Sequence, residues 1–338
     1  MRQVATGLLT LAALFLLSLM VGAADLQWSE LLRLAKDSLN SDPPSLAQEA
    51  SSAGSPGSYA ALVLFELRLP RTLLAIMTGA ALAVGGALMQ SLFRNPLAEP
   101  GLVGVSAGSA LGAAGAMMAG FYGYAAIGTA GVVGAFVATA IAWQFARNQP
   151  QTYALLLAGL AINAFSLSLI TLLISLASDA QMRSIVFWSM GSFSRAPLWV
   201  VLSLVPAWLA CMIWAMRSWA LLNALLLGES QARHVGVNVS RFRWQLVLLM
   251  AVMLGPLVSM TGVISFVGLL VPQALRRRVG SNHARLLPLC AVWGAVVVLS
   301  CDMISRIVVA PAELPVGVVI SLAGAPVFLW LLTRTRLR

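Results

Sequence analysis

Three observations predict an all-α polytopic membrane protein with about ten transmembrane helices. The 338 residues are 60% hydrophobic and only 9% charged, and the mean hydropathy is +0.90. Soluble domains carry about 25% charged residues, so this chain cannot cover a water-facing surface. The apolar residues gather into ten runs, most of them near the ~20 residues that a helix needs to cross a ~30 Å hydrocarbon layer. The 21 Lys+Arg exceed the 11 Asp+Glu by a net charge of +10, yet Lys36 is the one lysine, and the arginines lie in ones to threes between apolar runs. No basic, aromatic-interleaved face is left to follow a phosphate backbone, which excludes nucleic-acid binding.

The first run, 5–24, starts after Arg2 and ends in Gly22-Ala23-Ala24, a pattern shared with cleavable signal peptides. Its about 18 apolar residues are long for a signal sequence, which favours a retained helix. A polar stretch rich in Ser, Asp, Pro and Glu follows at 25–58. The remaining runs lie near 61–90, 103–120, 123–144, 153–176, 198–216, 244–260, 262–276, 286–305 and 314–333, so residues 1–338 read as a single transmembrane domain. Gly104, Gly108 and Gly112 form a GxxxGxxxG series that lets helix backbones approach closely in lipid. A phosphate-cradling loop is excluded there, since no Lys follows and no strand precedes. Prolines fall at Leu69-Pro70-Arg71, Asn95-Pro96-Leu97, Glu99-Pro100-Gly101, Val271-Pro272-Gln273 and Leu314-Pro315, and we expect broken helices at these turns. Broken helices suit a transporter better than an anchor.

Ten crossings place both termini on one side. With that side cytoplasmic, it carries 14 basic residues against two acids, Glu99 and Glu229, while the outer side carries seven against nine. The inner excess satisfies the positive-inside tendency. The seven outer basic residues are Arg33, Lys36, Arg68, Arg71, Arg183, Arg195 and Arg306.

Cys211, Cys290 and Cys301 all fall in apolar runs without CxxC spacing, which indicates packing and no disulfide framework or zinc site. His234 and His283 lie far apart in polar connections, which excludes a histidine-based metal site within the membrane. The longest cytoplasmic connection is 217–243. Within it Leu225, Gly228/Glu229, Ala232/Arg233 and Gly236 recur at three-to-four spacing, which predicts one short amphipathic helix ended by Gly236, with Glu229 and Arg233 paired four apart. Such a helix either lies in the lipid interface or docks on a soluble partner.

Several long motifs resemble one family. Leu67-Arg68-Leu69-Pro70-Arg71-Thr72-Leu73, Gly85-Gly86-Ala87-Leu88-Met89-Gln90 and the stretch from Arg94-Asn95-Pro96-Leu97-Ala98-Glu99-Pro100 to Gly108 are similar to permeases of ABC importers for iron-siderophore complexes, haem and vitamin B12. Phe187-Trp188-Ser189-Met190-Gly191, Leu227-Gly228-Glu229, Phe266-Val267-Gly268 and Ala312-Glu313-Leu314-Pro315 continue the resemblance, which spans about residues 60–335. It implies a ten-helix type II importer subunit in the bacterial inner membrane, with both termini cytoplasmic. A second copy of the chain would share one central pathway. Two cytoplasmic ABC ATPase subunits would use ATP and Mg, and a periplasmic substrate-binding protein would deliver the cargo; the permease itself would hold no permanent cofactor and no catalytic residue.

The resemblance also assigns expected roles. Residues 222–238 correspond to the coupling helices, so Leu225, Gly228, Glu229, Arg233 and Gly236 are expected at the ATPase contact. Arg68, Arg71 and Arg306 are expected to receive carboxylates of the binding protein, for which a guanidinium fork is suited; pairing with Glu66, Asp302 or Glu313 is the competing reading. Gln151 and Thr152 correspond to a gate, Asn95 and Leu97 to a second constriction, and Ala158, Asn163 and Ser166 to the pathway wall, although an intramembrane Asn more often bonds a neighbouring helix. Gln273 replaces a usual His, and Asn282-His283-Ala284-Arg285 replaces a usual Asp-His-Arg turn. The 171–193 region resembles haem-type members, which makes haem the expected cargo ahead of cobalamin or a ferric siderophore. An intramembrane enzyme is disfavoured by the lack of HExxH, paired membrane aspartates or a Ser/His pair at membrane depth, and a passive channel by the coupling motif.

Overall fold

The computed structural model describes residues 2–22, 61–147, 153–194, 196–310 and 312–335. The expected outer segment 25–58 therefore lies outside the described residues. Thirteen α-helices follow one another: α1 (Arg2–Met20), α2 (Leu69–Leu92), α3 (Val105–Met118), α4 (Tyr124–Ala146), α5 (Tyr153–Leu176), α6 (Asp179–Ser189), α7 (Leu198–Arg217), α8 (Trp219–Leu226), α9 (Glu229–His234), α10 (Val239–Thr261), α11 (Val267–Val279), α12 (His283–Ile307) and α13 (Val316–Thr335). Among the described residues seven helical stretches, α1, Val63–Leu92, α4, α5, α7, α10 and α12, are long and apolar enough to cross a membrane. With the shorter apolar α3 and α13 and the half-length α11, they occupy all ten expected runs.

The proline expectation needs correcting at two places. No break occurs at Leu69-Pro70, because α2 continues a π-helical turn at Val63–Arg68 into one uninterrupted stretch. Proline has no N–H for the ordinary ladder, and the chain absorbs the loss by widening it, with Leu69 N–H reaching back to Leu64 O. Pro272 likewise sits inside α11. The true breaks lie at 93–104, where a turn and a 3-10 segment (Pro100–Val103) separate α2 from α3, and at 262–266 between α10 and α11.

Helix α2 is the axis of the molecule: 89% of its apolar window is buried, against 11% for α5. Small residues make that burial possible. A Cβ added at Gly79 would fall on the carbonyl of Gly294 in α12, and one at Gly86 on that of Gly268 in α11, so both neighbours touch α2 backbone to backbone. The predicted glycine series does the same between α3 and α4, where Gly108 meets Gly134 and Gly112 meets Ala130. Gly104 instead forms the turn before α3. The first helix is integrated into this packing through Gly7 against Val292 and Trp293 of α12.

Candidate functional site

Polar groups collect at the two ends of α2. At the N-terminal end, Arg71 Nε donates to Asp302 Oδ1 at 2.9 Å, and its Nη1 donates to both Glu313 oxygens at 2.8 and 2.7 Å. Arg306, one turn after Asp302 on α12, pairs with the other Asp302 oxygen. Its Nη1 also donates to Ser18 O at 3.0 Å. Arg68 donates to Leu19 O and Met20 O at 2.6 and 2.7 Å, so two guanidiniums cap the last carbonyls of α1, where a cation is favoured. Ser18 and Thr72 hydroxyls, 2.8 Å apart, complete the join.

The arginines expected at a docking surface, Arg68, Arg71 and Arg306, are bonded to acceptors of the chain itself, among them the competing partners Asp302 and Glu313. They are 5%, 7% and 4% exposed and committed to acceptors of the chain itself. Carboxylate and backbone acceptors brought by α1, α12 and the 312–315 turn reach them first. The exposed member of the cluster is Glu313, whose side chain is 43% accessible.

At the opposite end, the predicted single amphipathic helix is two helices. Gly228 breaks it at φ +115°, a conformation closed to residues with a Cβ, and α8 and α9 lie on either side. Glu229 pairs with Arg233 at 3.2 Å as expected, and also with Arg243 of α10 at 3.1 Å. Leu225 is not on the outer surface of the pair; it is buried and anchors α8 in the core. Arg233 is exposed, and so are Leu227 and Val235, 74% and 69% accessible, two apolar knobs that the spacing argument passed over. Their signal in the sequence was an apolar residue on each side of the mostly polar seven-residue stretch 228–234.

Between α2 and α3 lies the turn carrying Asn95 and Leu97. Asn95 Oδ1 accepts the Leu97 N–H at 2.9 Å, a local turn that holds the 44% exposed Leu97 outward. The turn is locked to α11 by Glu99, whose Oε1 accepts the Phe266 N–H at 3.0 Å. Burial pushes the Glu99 carboxyl up from the usual range, and that hydrogen bond pulls it partly back. Asn163 bonds the same segment, its Nδ2 donating to Gly101 O at 3.0 Å, so it ties α5 to the turn. Gln90 Nε2 donates to Gly268 O at 3.2 Å. Gln151 and Thr152 lie outside the described residues. Ala158 and Ser166 line a cavity of about 800 Å³ among α3, α4 and α5, whose walls are otherwise Gly, Ala, Val, Leu, Ile and Phe.

Sequence reasoning missed one cluster entirely. His283, fully buried, sits between Asn223 of α8 and Ser91 in the last turn of α2. The altered turn at Asn282-His283 was the available clue. The three cysteines are buried and free, as their apolar surroundings predict. Among the described residues no three His, Cys, Asp or Glu side chains converge as a metal site.

Comparison with known proteins places this architecture. Residues 10–334 match the model of the FecCD transport family. The chain is 41% identical over 280 residues to the vitamin B12 import system permease protein BtuC of Salmonella typhi, covering 81% of this chain and 84% of that one. The same protein of Citrobacter koseri is 41% identical over 283 residues, with the same coverage. Among solved structures, an inward-facing metal-chelate type ABC transporter superposes with a TM-score of 0.85 at 29% identity, over 98% of this chain and 99% of that one. Long helices broken at 93–104 and 262–266, a split helix pair between α7 and α10 and a match across nearly the whole length agree: the chain belongs to the FecCD transport family of ABC importer permeases.

Proposed function

We propose that this permease carries a corrinoid of the vitamin B12 class inward across the bacterial inner membrane, in place of the haem expected from the 171–193 region. The observation that carries the reading is the 41% identity to vitamin B12 import permeases over 81% of the chain. The cavity wall of small and apolar residues beside α5 suits a bulky, largely apolar-faced macrocycle, which shape and dispersion can pass without a fixed charge. Two copies would meet around the pathway, which gives the sparsely buried α5 a partner surface.

The ATPase subunits, using ATP and Mg, would dock on α8 and α9. There Leu227 and Val235 supply apolar contact, Arg233 a rim charge, and Gly228, Glu229 and Gly236 the shape that presents them. Leu225 acts behind this surface as the anchor. On the outer side a docking carboxylate from the binding protein would replace Glu313 on Arg71, with Arg68 and Arg306 holding the site's shape behind it. Asn95 and Leu97 would form the inner constriction, together with Gln151 and Thr152. Asn163 would position the turn that carries it.

The deciding experiment is ATP-dependent uptake into proteoliposomes holding the permease, its ATPase and the cognate binding protein. Cobalamin should be accumulated, and haem and a ferric siderophore should not. Uptake of haem or siderophore without cobalamin would overturn the cargo assignment. Glu229→Ala should lower uptake per ATP hydrolysed while membrane insertion is retained; an unchanged ratio would overturn the coupling role.

A further inference from the structure

We infer that His283 is a positioning residue that transmits movement of the coupling helices to the inner gate turn. The inference rests on the coupling role proposed for α8 and α9, and its support is a continuous hydrogen-bonded path. Asn223 makes the only hydrogen bonds that tie α8 to another element among the described residues. Its Oδ1 accepts from the backbone N–H of His283 at 2.9 Å and meets Nδ1 at 2.8 Å, while its Nδ2 donates to Asn282 Oδ1 at 3.1 Å. The atom that accepts the backbone N–H is the amide oxygen, which carries no proton, so Nδ1 carries the ring hydrogen. The lone pair of Nε2 then faces the Ser91 hydroxyl.

Ser91 closes the path onto the gate. It lies one residue before the end of α2, and its carbonyl accepts the Arg94 N–H at 3.3 Å. The preceding Gln90 carbonyl accepts the Asn95 N–H at 3.2 Å, so the turn bearing Asn95 and Leu97 is folded directly on Gln90 and Ser91. The Ser91 hydroxyl has one proton and two acceptors, Ala87 O at 2.8 Å and His283 Nε2, and it also receives Arg276 Nη2 at 3.4 Å. The imidazole nitrogen has no other donor among the described residues, whereas Ala87 O also receives Arg276 Nη2 at 3.4 Å, so the Ser91 proton belongs to His283 and holds the ring to α2. A shift of α8 drags Asn223, and with it the imidazole, while Ser91 and the turn beyond it respond. A second contact runs parallel: a Cβ added at Gly228 would sit 3.6 Å from Arg94 Nη1, so the break in the coupling pair abuts the same turn.

The test uses the complete permease–ATPase complex in proteoliposomes with the binding protein, measuring uptake and ATP hydrolysis in the same vesicles. His283→Leu should lower uptake per ATP by about tenfold, since path mutations shift coupling by amounts of that order. Ser91→Ala, which opens no large cavity, should give a similar loss, and the double variant should be no worse than either single one. His283→Gln, which keeps a donor and an acceptor, should recover part of the ratio. A purely structural histidine predicts lower thermal stability with uptake per ATP at the wild-type value in both His283→Leu and Ser91→Ala, and that result would overturn the inference. If Glu229→Ala also leaves the ratio unchanged, the coupling role itself has failed; if Glu229→Ala lowers it and the Ser91 and His283 variants do not, only the relay has.

Discussion

The two ends of α2 solve the same problem in opposite ways. Both place several polar groups out of contact with water. The N-terminal end does it with paired formal charges, Arg71 and Arg306 around Asp302, whereas the C-terminal end does it mainly with neutral groups, Ser91, His283, Asn223 and Gln90, joined by one guanidinium, Arg276, 3.4 Å from the Ser91 hydroxyl. A buried ion pair that loses one partner strands a charge, at a cost of about 3–5 kcal/mol. A neutral hydrogen bond contributes about 0.5–1.5 kcal/mol net and is exchanged far more cheaply. One helix therefore has a fixed end and an adjustable end, and the adjustable one adjoins the turn bearing Asn95 and Leu97 and the pair α8 and α9 for which a coupling role is proposed.

The largest test of this contrast is Asp302→Asn. Two buried guanidiniums would then face a neutral amide, and we expect a loss of about 3 kcal/mol or more, read as a large fall in the thermal unfolding midpoint of the purified protein. Gly86→Ala comes next. Its methyl would meet the Gly268 carbonyl, forcing α2 and α11 apart at a cost of about 1–3 kcal/mol, and the same thermal measurement checks it. Ser91→Ala at the adjustable end should cost only about 1 kcal/mol in that assay, although it disturbs transport. The smallest stability effect belongs to Glu313→Gln, below about 1 kcal/mol, because that pair is partly solvated. The same variant should tighten docking of the binding protein measured by titration, since an internal competitor for Arg71 is weakened. If Asp302→Asn proved as mild as Ser91→Ala, the distinction between the two ends would collapse.

The fold was legible because lipid imposes a simple rule. Each crossing must be a long apolar helix, so the runs at 61–90 or 286–305 announce themselves. Local geometry was less legible. Pro70 reads as a turn from chemistry alone, yet surrounding helices hold the chain in a π turn that accommodates it. The 217–243 connection has unbroken three-to-four spacing, so only the positive φ of Gly228 reveals two helices. The arginines stand out in the sequence, and Asp302 and Glu313 are visible there as partners for them. Sequence order cannot state that residues 231 positions apart, Arg71 and Asp302, lie within hydrogen-bonding distance. His283 was missed for the same reason: its partners come from two distant helices.

The capping of α1 has a consequence for biogenesis. Its terminal carbonyls are held by Arg68, made soon afterwards, and by Arg306, whose bond to Ser18 O spans 288 residues. During synthesis the first helix enters the bilayer long before α12 has been translated. Its C-terminal end must wait for that late helix to complete its set of donors. Final locking of α1 thus follows insertion of α12, and a ribosome stalled before Arg306 would leave α1 held at that end by Arg68 without its second guanidinium.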